Sequence, residues 1–340
     1  MFKVIANLDL HTPLSEVADA ARRAEALGFE RLSIPDVCQD GLLAAAIAIG
    51  ATQRIEIANS ALVCFPRSPM TTAVAVWGLQ DYSKGRYRLG LGPLVAANIV
   101  QKYSTPWHAP APRMREYVLA MQAIFRCWQY GEPLRFEGKH YSFTRQQAYV
   151  APPPIEHPEI SLQLAAVGPR MISLAGELAD AITAHPTNTS PRFIREIMQP
   201  ELETGAVRTG RSAADVSVIV NPLIASGSSS VEIAQNRETQ RQLLATILST
   251  PNYWRSLKLF GHEELGPKLR QLTREGRWGE MSALLGDDLL DAFAFCAAWG
   301  ELAGLLRESY RGVAAAIALP LPRDSANDAQ IAPLVESLAA

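Results

Sequence analysis

The feature that most constrains this 340-residue chain is the regular alternation of short apolar runs with helical patterns from the first residues onward. Lys3–Leu8 (KVIANL), Glu30–Ile34, Ile55–Val63 (IEIANSALV), Tyr87–Leu91, Ile160–Val167, Ala181–Ala184, Val216–Ala225 and Val313–Leu319 read as strands. Most are apolar on both faces, the signature of parallel strands covered by helices. Between them lie helix signals. Thr12-Pro13-Leu14 opens a helix that stops at Gly28, and Leu42–Ala51, Met70–Tyr82, Arg113–Tyr130, Met171–Ala179 and Pro191–Gly205 follow. Repeated strand–helix units give an α/β fold. A doubly wound sheet is the rival, but no Gly-rich dinucleotide fingerprint opens the chain. The pattern therefore predicts a (β/α)8 TIM barrel with insertions, one domain over residues 1–340.

Three stretches interrupt the rhythm. Residues 93–112 follow the fourth strand, on the side where barrels carry their sites. Residues 131–158 contain GEPLRFEGKHYSF, which reads as a hairpin, and then the proline-rich APPPIEHP. Residues 227–311 are helical in pattern and separate the seventh and eighth strands.

Charge narrows the function classes. The chain has 32 basic and 34 acidic residues and no basic stripe, so neither nucleic acid nor an anionic membrane surface is an expected partner. Cys38, Cys64, Cys127 and Cys296 are dispersed, with no CxxC pair and no histidine at ligand spacing. No disulfide framework and no metal site is expected; buried, reduced thiols fit better. The N-terminal MFKVIANLDL holds no signal-peptide core, and no apolar run reaches bilayer length. A cytoplasmic protein is expected.

Four segments, in order along the chain, carry a resemblance. Asp81–Gly92 (DYSKGRYRLGLG) runs into the fourth strand, and Phe65-Pro66-Arg67-Ser68-Pro69 follows the third. GEPLRFEGKHYSF supplies a hairpin, and Val167-Gly168-Pro169-Arg170 precedes Leu174-Ala175-Gly176 and Ala179-Asp180. Together they resemble the luciferase-like monooxygenase superfamily, the bacterial-luciferase and F420-dependent oxidoreductase type. Residues 104–128 (STPWHAPAPRMREYVLAMQAIFRCW) look most like an actinobacterial subgroup assigned to coenzyme F420, a deazaflavin.

The resemblance implies a luciferase-like barrel that binds F420, or alternatively FMN, and performs hydride transfer or monooxygenation on a small-molecule substrate. The cofactor supplies the redox chemistry, and the protein must hold and shield the ring. Small residues around Ser60, Ala61 and Leu62, with Asn7 and Gly92 at neighbouring strand ends, are the candidates beside the ring. Ser60–Ala61 is also the candidate for a non-proline cis peptide. Val167, Gly168, Pro169 and Arg170 are the candidates for the anionic tail, through backbone amides at a helix N-terminus and a charged contact. Asp36 after the second strand and His185 after the sixth are the candidate catalytic residues. Each also has a plain structural reading: Asp36 as a cap, His185 as a loop residue.

Two departures bear on the substrate. Deazaflavin-dependent sugar-phosphate dehydrogenases of the superfamily carry a histidine after the strand-two aspartate and a glutamate after strand four. Here those places hold Val37 and the run Pro93-Leu94-Val95-Ala96. An apolar pocket of Leu94, Val95, Tyr103 and Trp107 would instead suit an uncharged, hydrophobic substrate. A barrel that has lost catalysis and serves as a cofactor-binding or partner subunit is the alternative. A homodimer is expected from the superfamily, and Gly92 and Gly168 are expected to tolerate bulk poorly.

Overall fold

The computed structural model describes all 340 residues. Eight parallel strands form the barrel: β1 Lys3–Leu8, β2 Arg31–Ile34, β3 Glu56–Asn59, β4 Tyr87–Gly92, β5 Leu162–Ala166, β6 Ala181–Ala184, β7 Ser217–Val220 and β8 Ala316–Leu321. Each pairs with the next in sequence, and β8 pairs with β1, so the sheet closes without an edge. The predicted TIM barrel is the fold.

Local chemistry explains the helices around it. Helix α1 (Leu14–Ala26) ends ahead of Gly28, whose φ of +85° suits a residue without Cβ. Asp40 caps α2 (Gly41–Ala51) by accepting the amides of Leu42 and Leu43. Ser68 caps α3 (Pro69–Tyr82), with proline at the first helical position. Helix α4 (Pro110–Tyr130) is followed by Gly131 in the left-handed region. Helix α5 (Pro169–Leu178) packs so closely on α6 (Gln199–Ala206) that a Cβ on Gly205 would lie 1.6 Å from the Ser173 carbonyl oxygen.

Alternate residues of each strand face the helices or the lumen. Val4, Ala6, Leu32, Ile34, Ile57, Leu89, Leu91 and Leu164 join the main core under the helices. The lower lumen is filled. Glu56 bridges Arg31 at 2.6 Å and Arg88 at 2.7 Å, and Ile5, Ala181, Ile219, Ala316 and Ala318 pack together. Burial opposes ionisation of Glu56, but Arg31 and Arg88 hold its carboxyl below the usual range. Gln163 donates across the lumen to the Asn59 carbonyl at 2.9 Å. A Cβ on its neighbour Gly90 would lie 1.8 Å from that same oxygen, so glycine is required there.

The structure departs from the sequence reading in three places. The expected third strand is interrupted at Ser60–Ala61, which is a cis peptide, and resumes at Leu62–Val63 beside β4. The expected seventh strand stops at Val220. After Asn221 and Pro222, the segment Leu223–Gly227 pairs in parallel with Ala294–Ala298, outside the barrel. Proline offers no amide to continue the ladder. The chain from 227 to 311 therefore contains an unforeseen strand besides its helices, of which α7 (Ser230–Leu248) is the longest. It also encloses a core of its own around Leu244, Leu257, Leu265, Leu289 and Phe293. Short apolar runs such as AFCAA cannot be told from helix by periodicity. Third, only Cys64 is a fully buried thiol; Cys38 is exposed, and all four cysteines are unpaired. The hairpin is present as Phe136–Glu137 with Ser142–Phe143. No helix is long and apolar enough to cross a membrane.

Candidate active site at the barrel mouth

The upper lumen contrasts with the lower. At the carboxyl ends of the strands the inward positions are small. A Cβ built on Gly92 would meet the Cβ of Ala61 at 3.1 Å and that of Ala165 at 3.6 Å. Ala61, Gly92 and Ala165 thus meet at the ends of β3, β4 and β5, and Ala61 and Ala165 keep part of their surface open. A floor built from a methyl, a hydrogen and a methyl lets a planar ring approach the backbone, a cradle that larger side chains would fill. On β6, Thr183 is also partly open, and its buried hydroxyl has no partner within the chain. An orphaned hydroxyl at this level fits a polar ligand atom or a water.

Polar side chains tie the strand ends together. Asn7 donates to Asn221 at 2.9 Å, and Asn221 donates to the Ala184 carbonyl at 2.8 Å. This chain links β1, β7 and β6. Asn188 donates to the Val167 carbonyl at 3.2 Å, joining the β6 loop to the end of β5. Beneath the cis peptide, Tyr87 donates to Asn59, which donates to the Gly41 carbonyl. Burial pushes the Tyr87 phenol far above its ordinary pKa, so it is a fixed donor.

Asp36 is buried and fully engaged. One carboxylate oxygen accepts the Gly41 amide at 2.8 Å and the other the Val63 amide at 2.9 Å. Arg67, from the Phe65–Pro69 loop, lies 3.6 Å from Asp36 and bonds Asp40 at 2.8 Å. The carboxylate braces the β2 loop against the chain after β3.

His185 follows β6. Its Nδ1 accepts the Thr187 amide at 3.3 Å and lies 2.9 Å from the Thr187 hydroxyl. An amide only donates, so Nδ1 is the acceptor and the proton of the neutral ring sits on Nε2. Desolvation pulls the pKa of His185 down to about 4. Asp36 follows β2 and His185 follows β6, strands four apart around the eight-stranded barrel, and no hydrogen bond joins the two residues.

The remaining candidates fall as follows. Gly168 precedes α5, with no atom within 4 Å of a built Cβ and an ordinary φ of −86°, so the expected intolerance to bulk there has no steric basis in the protein. Pro169, at the first helical position, has no amide to offer. Arg170 is exposed with no ion-pair partner, and Val167 is half-buried. Leu62 is buried in the main core, so only its backbone is available to the mouth. Leu94, Tyr103 and Trp107 pack partly against the core, with Trp107 edge-on to Phe65 at 5.8 Å. Sequence reasoning missed Ala165, Thr183, Asn221 and Tyr253. The first three follow from strand alternation once register is known, whereas Tyr253 carries no local signal.

These features meet where known proteins of similar sequence can be compared. A family model described as luciferase-like monooxygenase matches residues 2–316. An uncharacterized protein of Mycobacterium tuberculosis is 36% identical over 300 residues, 88% of each chain. A putative coenzyme F420-dependent oxidoreductase of the same organism is 25% identical over 300 residues, 82% of this chain and 83% of the relative. The coenzyme F420-dependent tetrahydromethanopterin reductase of Methanopyrus kandleri superposes with a TM-score of 0.81 at 19% identity, covering 99% of this chain and 98% of that one. The family-model match over nearly the whole length and the 36% identical relative, with the closed parallel barrel in agreement, show that this chain belongs to the luciferase-like monooxygenase family.

Proposed function

We propose that this protein is an F420-dependent oxidoreductase acting on a small, largely apolar substrate, with FMN as the alternative cofactor. The observation that carries the reading is the small-residue floor of Ala61, Gly92 and Ala165 at the open end of the barrel. The relatives that carry F420 in their names support the choice of cofactor. When bound, a deazaflavin supplies hydride transfer, whereas a flavin adds oxygen chemistry.

The chain's own residues then have distinct tasks. The floor lets the ring lie against backbone. Gly168 and Arg170, at the start of α5, hold the anionic tail through the helix N-terminus and a guanidinium. His185, neutral near pH 7, offers Nε2–H as a hydrogen-bond donor to substrate or ring. Asp36 keeps the loop beside Ser60–Ala61 in place through two amides. Val37 and the carboxylate-free run Pro93-Leu94-Val95-Ala96 stand where an alcohol-oxidising relay would need histidine and glutamate, which favours an activated C=C or C=O bond as the reacting group.

A second reading, a catalytically reduced barrel, draws on one observation: Asp36 and His185 follow opposed strands of the barrel and form no acid–base pair. Titrating the purified protein separately with F420 and FMN, then measuring turnover with the bound cofactor, separates the two. Binding with turnover supports the enzyme, binding without turnover supports the reduced barrel, and failure to bind either cofactor removes the enzyme and leaves only the partner-subunit form of the alternative. We also infer a homodimer, supported by the exposed apolar side chains on α2 and α3, where Leu43, Val74 and Tyr82 are each more than half exposed beside a single exposed charge, Asp81.

A further inference from the structure

We propose that Tyr253, supplied by the chain between β7 and β8, is a positioning residue of the mouth: it fixes the plane of His185 and screens one face of the imidazole from water. The two rings are stacked, with centroids 4.2 Å apart and planes 6° from parallel. The same short segment also holds the loop on which His185 depends. Ser256 donates to the Thr187 carbonyl and lies 3.3 Å from Asn188 Oδ1. Thr187 supplies the amide to His185 Nδ1, and Asn188 ties the loop to the end of β5. Trp254 donates to the Leu248 carbonyl at 2.9 Å, pinning the segment to the end of α7. Leu257 anchors it in the separate core of residues 223–294.

The inserted chain is thus a working wall of the mouth. With Nδ1 committed to Thr187 and one ring face to Tyr253, Nε2 is the ring nitrogen left for a ligand. A phenol face attracts an imidazolium weakly, yet it also displaces the water that would solvate the charge. The second effect wins here, since burial alone sets the direction of the His185 shift. Tyr253 is the titratable side chain against the ring; Arg255 is turned to Glu201 at 3.2 Å, and Arg192 to Glu196 at 3.0 Å.

The inference rests on the reading that His185 works at the mouth, but its test needs no cofactor. Selectively labelled histidine in the full-length protein is titrated by NMR, following the charge and the tautomer of His185. Wild type and Tyr253→Phe are expected to keep a neutral ring with the proton on Nε2 down to about pH 5. Tyr253→Ala is expected to raise the midpoint by at least one pH unit and to mix the tautomers. If Tyr253→Ala does not fold, as judged by circular dichroism, Tyr253→Leu is read by the same criteria. An unchanged midpoint and tautomer in the variant without the ring overturn the proposal, as does a Tyr253→Phe protein that behaves like Tyr253→Ala. Loss of cofactor binding by the wild type would remove the proposed function and leave this result standing.

Discussion

Gly92 and Ala61 face each other so closely at the barrel mouth that a single methyl on Gly92 would come within 3.1 Å of the Ala61 Cβ. The contact defines the floor on which a cofactor ring would rest. Gly92→Leu is expected to lower affinity for the cofactor by tenfold or more, about 1.4 kcal/mol, with Gly92→Ala milder. A fluorescence titration checks it. Unchanged affinity in the leucine variant would take the ring away from this floor.

Gly168 behaves differently because nothing in the protein crowds it. Gly168→Ala is expected to alter stability by less than about 0.5 kcal/mol. Gly168→Leu is expected to keep its melting temperature while losing cofactor affinity, because only a ligand would meet the new side chain. Full affinity in that variant would place the anionic tail elsewhere.

Asp36 accepts two buried backbone amides and lies 3.6 Å from Arg67, whose side chain stays partly exposed. Asp36→Ala leaves the Gly41 and Val63 amides without their acceptor and is expected to cost about 3 kcal/mol of stability. Denaturant unfolding measures this. A variant with native stability and no turnover would instead assign Asp36 a direct part in the chemistry.

His185 couples stability to pH. Its pKa is about 4 in the folded chain and about 6.5 when solvated. Between those values the unfolded chain binds more protons, so stability rises with pH and is lost as pH falls from about 6.5 toward 4. His185→Gln is expected to flatten the slope of unfolding free energy against pH in that window. Coincident slopes for the two proteins would contradict the burial of the ring.

If two copies associate through α2 and α3, Leu43→Glu combined with Val74→Glu places charge on both exposed positions. The double variant is expected to sediment as a monomer with unchanged circular dichroism. A dimer that survives both charges would put the interface on another face.

Strand–helix alternation and the proline and glycine punctuation at Pro13 and Gly28 were legible in the chain, because they follow from local periodicity and backbone preference. These sufficed for the barrel and for the strand ends that surround its mouth. Tertiary structure decided the rest. Strand register set Ala165 beside Gly92 and Thr183 beside Ala165, while loops from elsewhere in the chain gave Asp36 its two amides and brought Tyr253 onto His185. Such relations depend on register and on chain returning from far along the sequence, and no local pattern encodes the partner a side chain meets there.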